Sequence, residues 1–354
     1  MRLGIAGSGM VTPVGYQAPS SCAAIRCGID GFRRTAFKLG GEWVKGAVVE
    51  APDALAGVEK LAWMATRAID ECMTAAPPGH AEDTAVALCV AEETRPGRSA
   101  LPDDRFFINV IARIGAAPRL GPHRQLFKSG SLGGVQALEW AQQLLAKGAA
   151  SHCVVAGVDS YLHGPTIAAY HAARRLVTAD NGDGFLPGEA SAAVLLSRSG
   201  LSSMECLGTG WGREHATQDS GLPLRGDGLA NAYRAAFKAA ECGFPAVDYR
   251  MADIAGDQYA FKEAALAVLR TMRVRKESFY LWHPADCVGR VGAASVPLML
   301  GLALAASRKA YAPGPGVLCH FTDDDGVRAA VVLRDGRAPA PMVTVQGVRT
   351  HARQ

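Results

Sequence analysis

The chain has 354 residues, with 37 basic and 33 acidic side chains and a formal net charge of +4. That length buries a large core and suits one large domain or two fused ones, while the near balance of charge, without a long basic run, argues against a nucleic-acid stripe and leaves only a weakly positive face for an acidic protein. Nine cysteines occur without CxxC or Cys/His metal spacing; the odd count argues against a complete disulfide framework, so they read as buried small hydrophobes in a reducing compartment.

The first element is the strand-like Leu3-Gly4-Ile5-Ala6, with no charged start and long apolar core before it, so no signal peptide is visible and a cytoplasmic protein is expected. Gly7-Ser8-Gly9 lacks the third glycine and the later acidic residue of a dinucleotide loop. Amphipathic helix candidates fall at about 60–76, 133–147, 227–242, 260–273 and 291–308, alternating with strands in an α/β pattern. The strand candidate 190–198 is echoed by 327–335, and the glycine-punctuated Gly4-Ile5-Ala6-Gly7-Ser8-Gly9 by Leu207-Gly208-Thr209-Gly210-Trp211-Gly212. Together these echoes place a duplication boundary near residue 200, dividing the chain into halves at 1–200 and 201–336 and a tail at 337–354 that reads as an extended surface strand or frayed end. The most apolar stretch, Val296 to Ala306, contains a proline and is too short to span a bilayer.

Around Ser131 the chain reads Lys128-Ser129-Gly130-Ser131-Leu132-Gly133-Gly134-Val135-Gln136-Ala137-Leu138. Small residues here let the backbone turn sharply after a strand and lift one side chain onto a helix N-terminus, which is the form of a nucleophile elbow. Ala156-Gly157-Val158-Asp159 follows, and then Asp183-Gly184-Phe185-Leu186-Pro187-Gly188-Glu189-Ala190. With Gly7 to Gly15 at the start and Gly289-Arg290-Val291-Gly292-Ala293-Ala294-Ser295 toward the end, this order resembles the β-ketoacyl-acyl-carrier-protein synthases of the thiolase superfamily, over about residues 1 to 335. The resemblance implies a five-layered αβαβα fold from two similar halves, and a homodimer or a heterodimer with an active ketosynthase. It also implies acyl carrier protein or acyl-CoA as a partner, with no cofactor and no metal.

Members of that family condense acyl chains with a cysteine thiolate, two histidines and a GFGG loop. Carried over, the nucleophile position falls on Ser131, the histidine positions on Asp253 and Arg290, and the loop on Phe321-Thr322-Asp323-Asp324-Asp325-Gly326. Gly130, Gly133, Phe185, Phe321 and Asp324 are the residues expected to border the substrate. A thiolate is a strong nucleophile and a good leaving group, whereas serine without a base stays protonated. Losing a general acid or base costs on the order of 10² to 10⁴ in rate, so ordinary decarboxylative condensation is expected to be severely impaired.

Several alternatives stay open at this point. Ser131 is a small residue that preserves the turn, or it carries an acyl ester with His283 or His320 as a displaced base, oriented by Asp286 or Asp323. Those two histidines are otherwise core or capping residues. Arg290 faces Asp253 as an ion pair, or it binds a carboxylate or phosphate of a ligand, or it is simply exposed at the surface. Cys287 is a packing residue or a relocated thiol. The three consecutive aspartates read as a solvated turn in preference to a metal site, and the Asp183 to Glu189 segment as a structural floor. The retained glycines lead to the expectation of an apolar tunnel opening at Ser131. Three functions remain: a non-condensing ketosynthase homologue that binds acyl chains, a carrier or a partner subunit; a serine-dependent acyltransferase or thioesterase; and a purely structural assembly protein.

Overall fold

The computed structural model describes residues 1–52, 55–76, 83–98, 103–115, 120–198 and 203–338. In the first half, β1 (Leu3–Val11), α1 (Ala18–Arg26), β2 (Phe32–Leu39), β3 (Glu42–Ala47), α2 (Gly57–Met73), β4 (Thr84–Cys89), α3 (Asp103–Arg113) and β5 (Arg124–Phe127) lead to α4 (Gly133–Lys147). They are followed by β6 (His152–Ser160), α5 (Gly164–Ala172) and β7 (Glu189–Arg198). The second half contains β8 (Met204–Arg213), α6 (Asp227–Ala239), β9 (Tyr249–Ala252), α7 (Gln258–Thr271), β10 (Leu281–Trp282), α8 (Ala285–Val288), α9 (Ser295–Arg308), β11 (Gly316–Thr322) and β12 (Val327–Asp335).

Strands run in the order β5-β4-β6-β7-β1 in the first half and β10-β9-β11-β12-β8 in the second, and they join where Leu3–Ile5 pairs with Met204–Cys206. The two orders match position for position, with the same parallel and antiparallel steps: β4 is parallel to β5 and β6, as β9 is to β10 and β11. β1 therefore corresponds to β8, and β7 to β12, the same segments that echo each other in sequence. The crossing between halves falls at residues 199–202, outside the described residues, as do residues 339–354 of the expected tail.

Helices α4 and α9 form the middle layer. Their residues share one core with inward-facing positions of both halves, such as Val155 and Val194 on one side and Cys319 and Val331 on the other. All of α9 except Ala305 and Arg308 is buried, which explains its nearly continuous apolar sequence; Pro297 is tolerated because it lies in the first turn. The outer layers are α2 with α3 against the first half and α6 with α7 against the second. In α2, Ala62, Ala65, Ile69 and Cys72 recur at helical spacing and form its buried stripe. The result is five layers, αβαβα.

The helix at 133–147 has the expected bounds, and the others shift by up to about four residues at an end, as frayed or tightened first turns do. Seven of the nine cysteines are buried, Cys242 is half-buried and Cys27 is exposed; all are free thiols. No described helix is long and apolar enough to cross a membrane.

Candidate functional site

β5 ends at Phe127, and Gly130, with φ of 51°, opens a tight 3-10 turn over Gly130–Leu132 that feeds α4. The equivalent turn in the second half, Gly292–Ala294, opens on Gly292 with φ of 46° and feeds α9. Positive φ at both places favours glycine. A Cβ on Gly134 would lie 2.4 Å from Val296 Cβ, so that glycine serves the close crossing of α4 and α9 and not access for a ligand. Ser131 sits in the first turn at 7% exposure, and no described side chain hydrogen-bonds its hydroxyl.

Neither candidate histidine is directed at that serine. Alternation along β11 turns Cys319 and Phe321 into the core shared with Leu132, and turns Leu318 and His320 to the opposite face. There His320 Nδ1 lies 2.9 Å from the Tyr233 hydroxyl of α6. Burial first, then the charges of Arg250 and Arg328, push its imidazole down to about 3, so it is neutral. His283, just after β10, faces Asp286 and sets its ring edge-on to Phe261 of the outer helix α7, with centroids 5.3 Å apart. Cys287 is buried, and burial pushes its thiol up to about 11.

Asp253 and Arg290 approach the same space without forming the expected pair. Asp253, at the end of β9, accepts the Thr322 backbone N–H at 2.9 Å on Oδ2 and the Thr322 hydroxyl at 3.3 Å on Oδ1. Burial pushes its carboxyl up to about 7, against the Thr322 N–H and the charges of Arg290 and Arg328. Arg290 instead donates to Asp324 Oδ1 at 3.0 Å. Asp324 also receives Arg175 at 3.2 Å and the Tyr170 hydroxyl at 2.8 Å. The Arg290 guanidinium lies over the Phe185 ring at 4.8 Å and the Tyr161 ring at 5.2 Å.

The turn after β11 brings Asp324 back toward the guanidinium, whereas the Asp253 oxygens are directed at Thr322. Burial would raise the Asp324 carboxyl, but Arg290, Arg175 and the Tyr170 hydroxyl hold it well below the usual carboxylate range. The aspartate-rich segment is thus a turn, but Asp324 is drawn inward, its side chain one-third exposed at 33%. No described cluster of carboxylates, histidines or cysteines could hold a metal ion.

A second charged cluster had no signal in the sequence. Arg95 donates to both oxygens of Asp159, at 2.5 and 2.7 Å, and to both oxygens of Glu92, at 2.8 and 2.7 Å. Its guanidinium also stacks 3.9 Å from the Tyr161 centroid. Asp159 Oδ2 accepts the Ala293 N–H at 2.9 Å, which ties the cluster to the turn before α9. The Glu92 carboxylate packs so closely on the elbow that a Cβ on Gly130 would lie 2.1 Å from Oε2. Two bidentate contacts of this kind fix a planar guanidinium firmly.

Residues 130–200 match the family described as the beta-ketoacyl synthase N-terminal domain. A type II polyketide synthase acyl-carrier protein in complex with its ketosynthase bound to the hexaketide aligns at TM-score 0.76 and 16% identity, over 94% of this chain and 99% of that one. The ishigamide ketosynthase/chain length factor aligns at TM-score 0.70 and 19% identity, over 94% and 99%. A ketosynthase in complex with its chain length factor from Xenorhabdus doucetiae aligns at TM-score 0.70 and 14% identity, over 94% and 98%. The chain has a ketosynthase-like fold. No curated protein matches its sequence.

Within this ketosynthase-like fold a charged group borders the elbow, since the Glu92 carboxylate held by Arg95 packs on Gly130. A cavity of about 480 Å³ lies elsewhere, and neither Ser131 nor Gly130 lines it. The segment expected as the floor is tightly built: Glu189 accepts the Val49 N–H at 2.9 Å and the Ser160 hydroxyl at 3.0 Å, and pairs with Lys60. Phe185 packs edge-on against Tyr170 and Tyr161, with centroids 5.0 and 5.5 Å away. Phe321 is wholly buried and Gly133 packs on Cys89.

Proposed function

We propose that this protein handles acyl thioesters or an acyl carrier protein without carrying out decarboxylative condensation, as a partner subunit beside a condensing ketosynthase. The observation that carries the reading is the replacement of the reacting groups. Ser131, Asp253 and Arg290 stand where the resemblance places a cysteine and two histidines, and Arg290 is bound to Asp324. Condensation needs a nucleophile that ionises readily and donors that hold the developing enolate oxygen. Here no described side chain hydrogen-bonds the Ser131 hydroxyl to act as its base, and the guanidinium already serves a carboxylate.

Two of the structures of similar fold pair a ketosynthase with a chain length factor, and a third holds an acyl-carrier protein with its ketosynthase. Those pairings support a heterodimeric role over a homodimer. The β2–β3 hairpin adds a cationic face suited to an acidic carrier: Arg34, Lys38 and Lys45 are exposed and make no ion pair among the described residues. Among the described residues His320 and His283 are engaged elsewhere and none hydrogen-bonds Ser131, which favours the partner-subunit reading over serine acyl transfer.

The test combines three readouts on purified protein: 3-ketoacyl product from malonyl and acyl carrier thioesters, intact mass for an acyl ester on Ser131, and co-purification with a ketosynthase from the same genome. We expect no product, no adduct and a stoichiometric complex. Product from the isolated protein at the rate of an ordinary ketosynthase would overturn the reading, and a stable acyl ester on Ser131 would replace it with serine catalysis.

A further inference from the structure

Helix α7 already spends one face on the core, where Glu263, Ala264, Ala267 and Val268 are buried. A surface helix turns polar side chains the other way, and α6 in the same outer layer does so with Asn231, Arg234 and Lys238. α7 does not. Phe261, Ala265 and Leu269, at i, i+4 and i+8, stand exposed along its outer side, Leu269 at 72%. Val274 and Tyr280 continue the exposed apolar surface in the loop that leads to β10. Four of the ten large apolar side chains exposed among the described residues therefore fall within residues 261–280. We propose that this outer face of α7 and the loop after it attach the protein reversibly to an anionic lipid bilayer. The proposal goes beyond the acyl-handling role and does not depend on it.

Cations are interleaved with these apolar side chains. Lys262, Arg270, Arg273, Arg275 and Lys276 lie in the same segment against Glu277 as its one exposed carboxylate, because Glu263 is buried on Arg328. Arg270 is held by Asp227 at 3.1 Å, and the other four make no ion pair among the described residues. Arg273 reaches back to the Leu269 carbonyl at 3.3 Å, and Lys276 Nζ lies 5.6 Å from the Phe279 centroid, so the cations of the loop stay beside the end of the helix.

The mixture decides the occupant. A protein interface has a contiguous, closely fitted apolar core, whereas here the apolar side chains stand singly, separated by cations, on a helix and an irregular loop. A nucleic acid would use the cations and leave Leu269 and Val274 in water. A bilayer uses both without shape complementarity: each apolar side chain enters between the headgroups, while the long Arg and Lys side chains keep their charges at the level of the lipid phosphates. Tyr280, with an apolar ring and a polar tip, suits that interface.

The experiment sediments the full chain with vesicles of phosphatidylcholine containing about 30% phosphatidylserine, and with vesicles of phosphatidylcholine alone. At about 0.1 M salt the anionic vesicles should bind at least about tenfold more tightly, and about 0.5 M salt should release most of the protein. Arg273→Ser, Arg275→Ser and Lys276→Ser together should weaken binding at least about tenfold, and Leu269→Ser with Tyr280→Ser at least about threefold. All five positions are exposed or half-buried, so thermal melting should show both variants folded. Absence of sedimentation at the lower salt, equal binding to both vesicles, or full binding by either folded variant would each overturn the proposal. Displacement from the vesicles by a duplex oligonucleotide at equal phosphate concentration would reassign the face to nucleic acid and overturn it as well. No carrier or ketosynthase takes part, so failure here leaves the partner-subunit reading standing. Conversely, condensation by the isolated protein would overturn that reading and leave the vesicle result intact.

Discussion

Replacing Asp253 with Asn tests the electrostatics at a position where the resemblance calls for histidine. Burial pushes the Asp253 carboxyl up to about 7, with the Thr322 N–H and the charges of Arg290 and Arg328 only partly offsetting it. In the unfolded chain an aspartate titrates near about 3.9. Between about pH 4 and pH 7 the folded protein therefore keeps a proton that the unfolded chain has lost, and stability falls as pH rises through that window. Above it, the cost of holding an ionised carboxylate in the fold is fully present. A difference of about three pKa units corresponds to about 4 kcal/mol at 1.36 kcal/mol per unit, an upper figure because the side chain keeps some contact with water.

The Asp253→Asn protein retains the shape, an oxygen for the Thr322 N–H and an amide for the Thr322 hydroxyl, but has no charge to desolvate. Urea unfolding of both proteins from about pH 4 to 8 should give similar stability at the acid end and a growing advantage for the variant, up to about 4 kcal/mol, at the alkaline end. Asp323 is likewise raised, to about 6 and chiefly by burial, but it is present in both proteins and drops out of the difference. Parallel pH profiles, or a variant less stable at pH 8, would refute the reasoning and show that Asp253 is ionised and favourably paired at neutral pH.

Two further outcomes follow from the ion pairs. A double-mutant cycle of Arg290→Ala with Asp324→Ala should give a coupling of roughly 1–2 kcal/mol, and the same cycle with Asp253→Ala a smaller one; the reverse order would restore the Asp253–Arg290 pair as the dominant contact. Arg328 and Glu263 are almost wholly buried and joined at 2.8 and 3.0 Å, so Arg328→Met alone should cost roughly 3–5 kcal/mol in denaturant unfolding, and adding Glu263→Leu should recover most of it. A double variant no better than the single one would show that the loss comes from packing and not from the stranded carboxylate.

The sequence by itself placed five of the helices, the strands β1, β7, β8 and β12 with their echo, and the turn at the elbow. Those follow from short-range rules: the 3.6-residue stripe of α4, the continuous apolar runs of β7 and β12, and a glycine where the backbone takes positive φ at residue 130. Through the order of motifs it also singled out Ser131, Asp253 and Arg290 as the expected site positions. What only the tertiary structure decided is which charges meet. Arg290 and Asp324 are 34 residues apart and Asp253 and Thr322 are 69 apart, so spacing could not rank Asp253 against Asp324 for one guanidinium. The fold of the turn after β11 decided it by bringing Asp324 to Arg290 while Asp253 faces Thr322. Glu92, Arg95 and Asp159 escaped notice for the same reason, since a charge near a strand end looks solvent-exposed until a second chain segment closes over it. His320 was lost as a base because alternation alone fixes that it faces opposite Phe321, whereas which of those faces looks onto the elbow depends on where α4 and α6 pack.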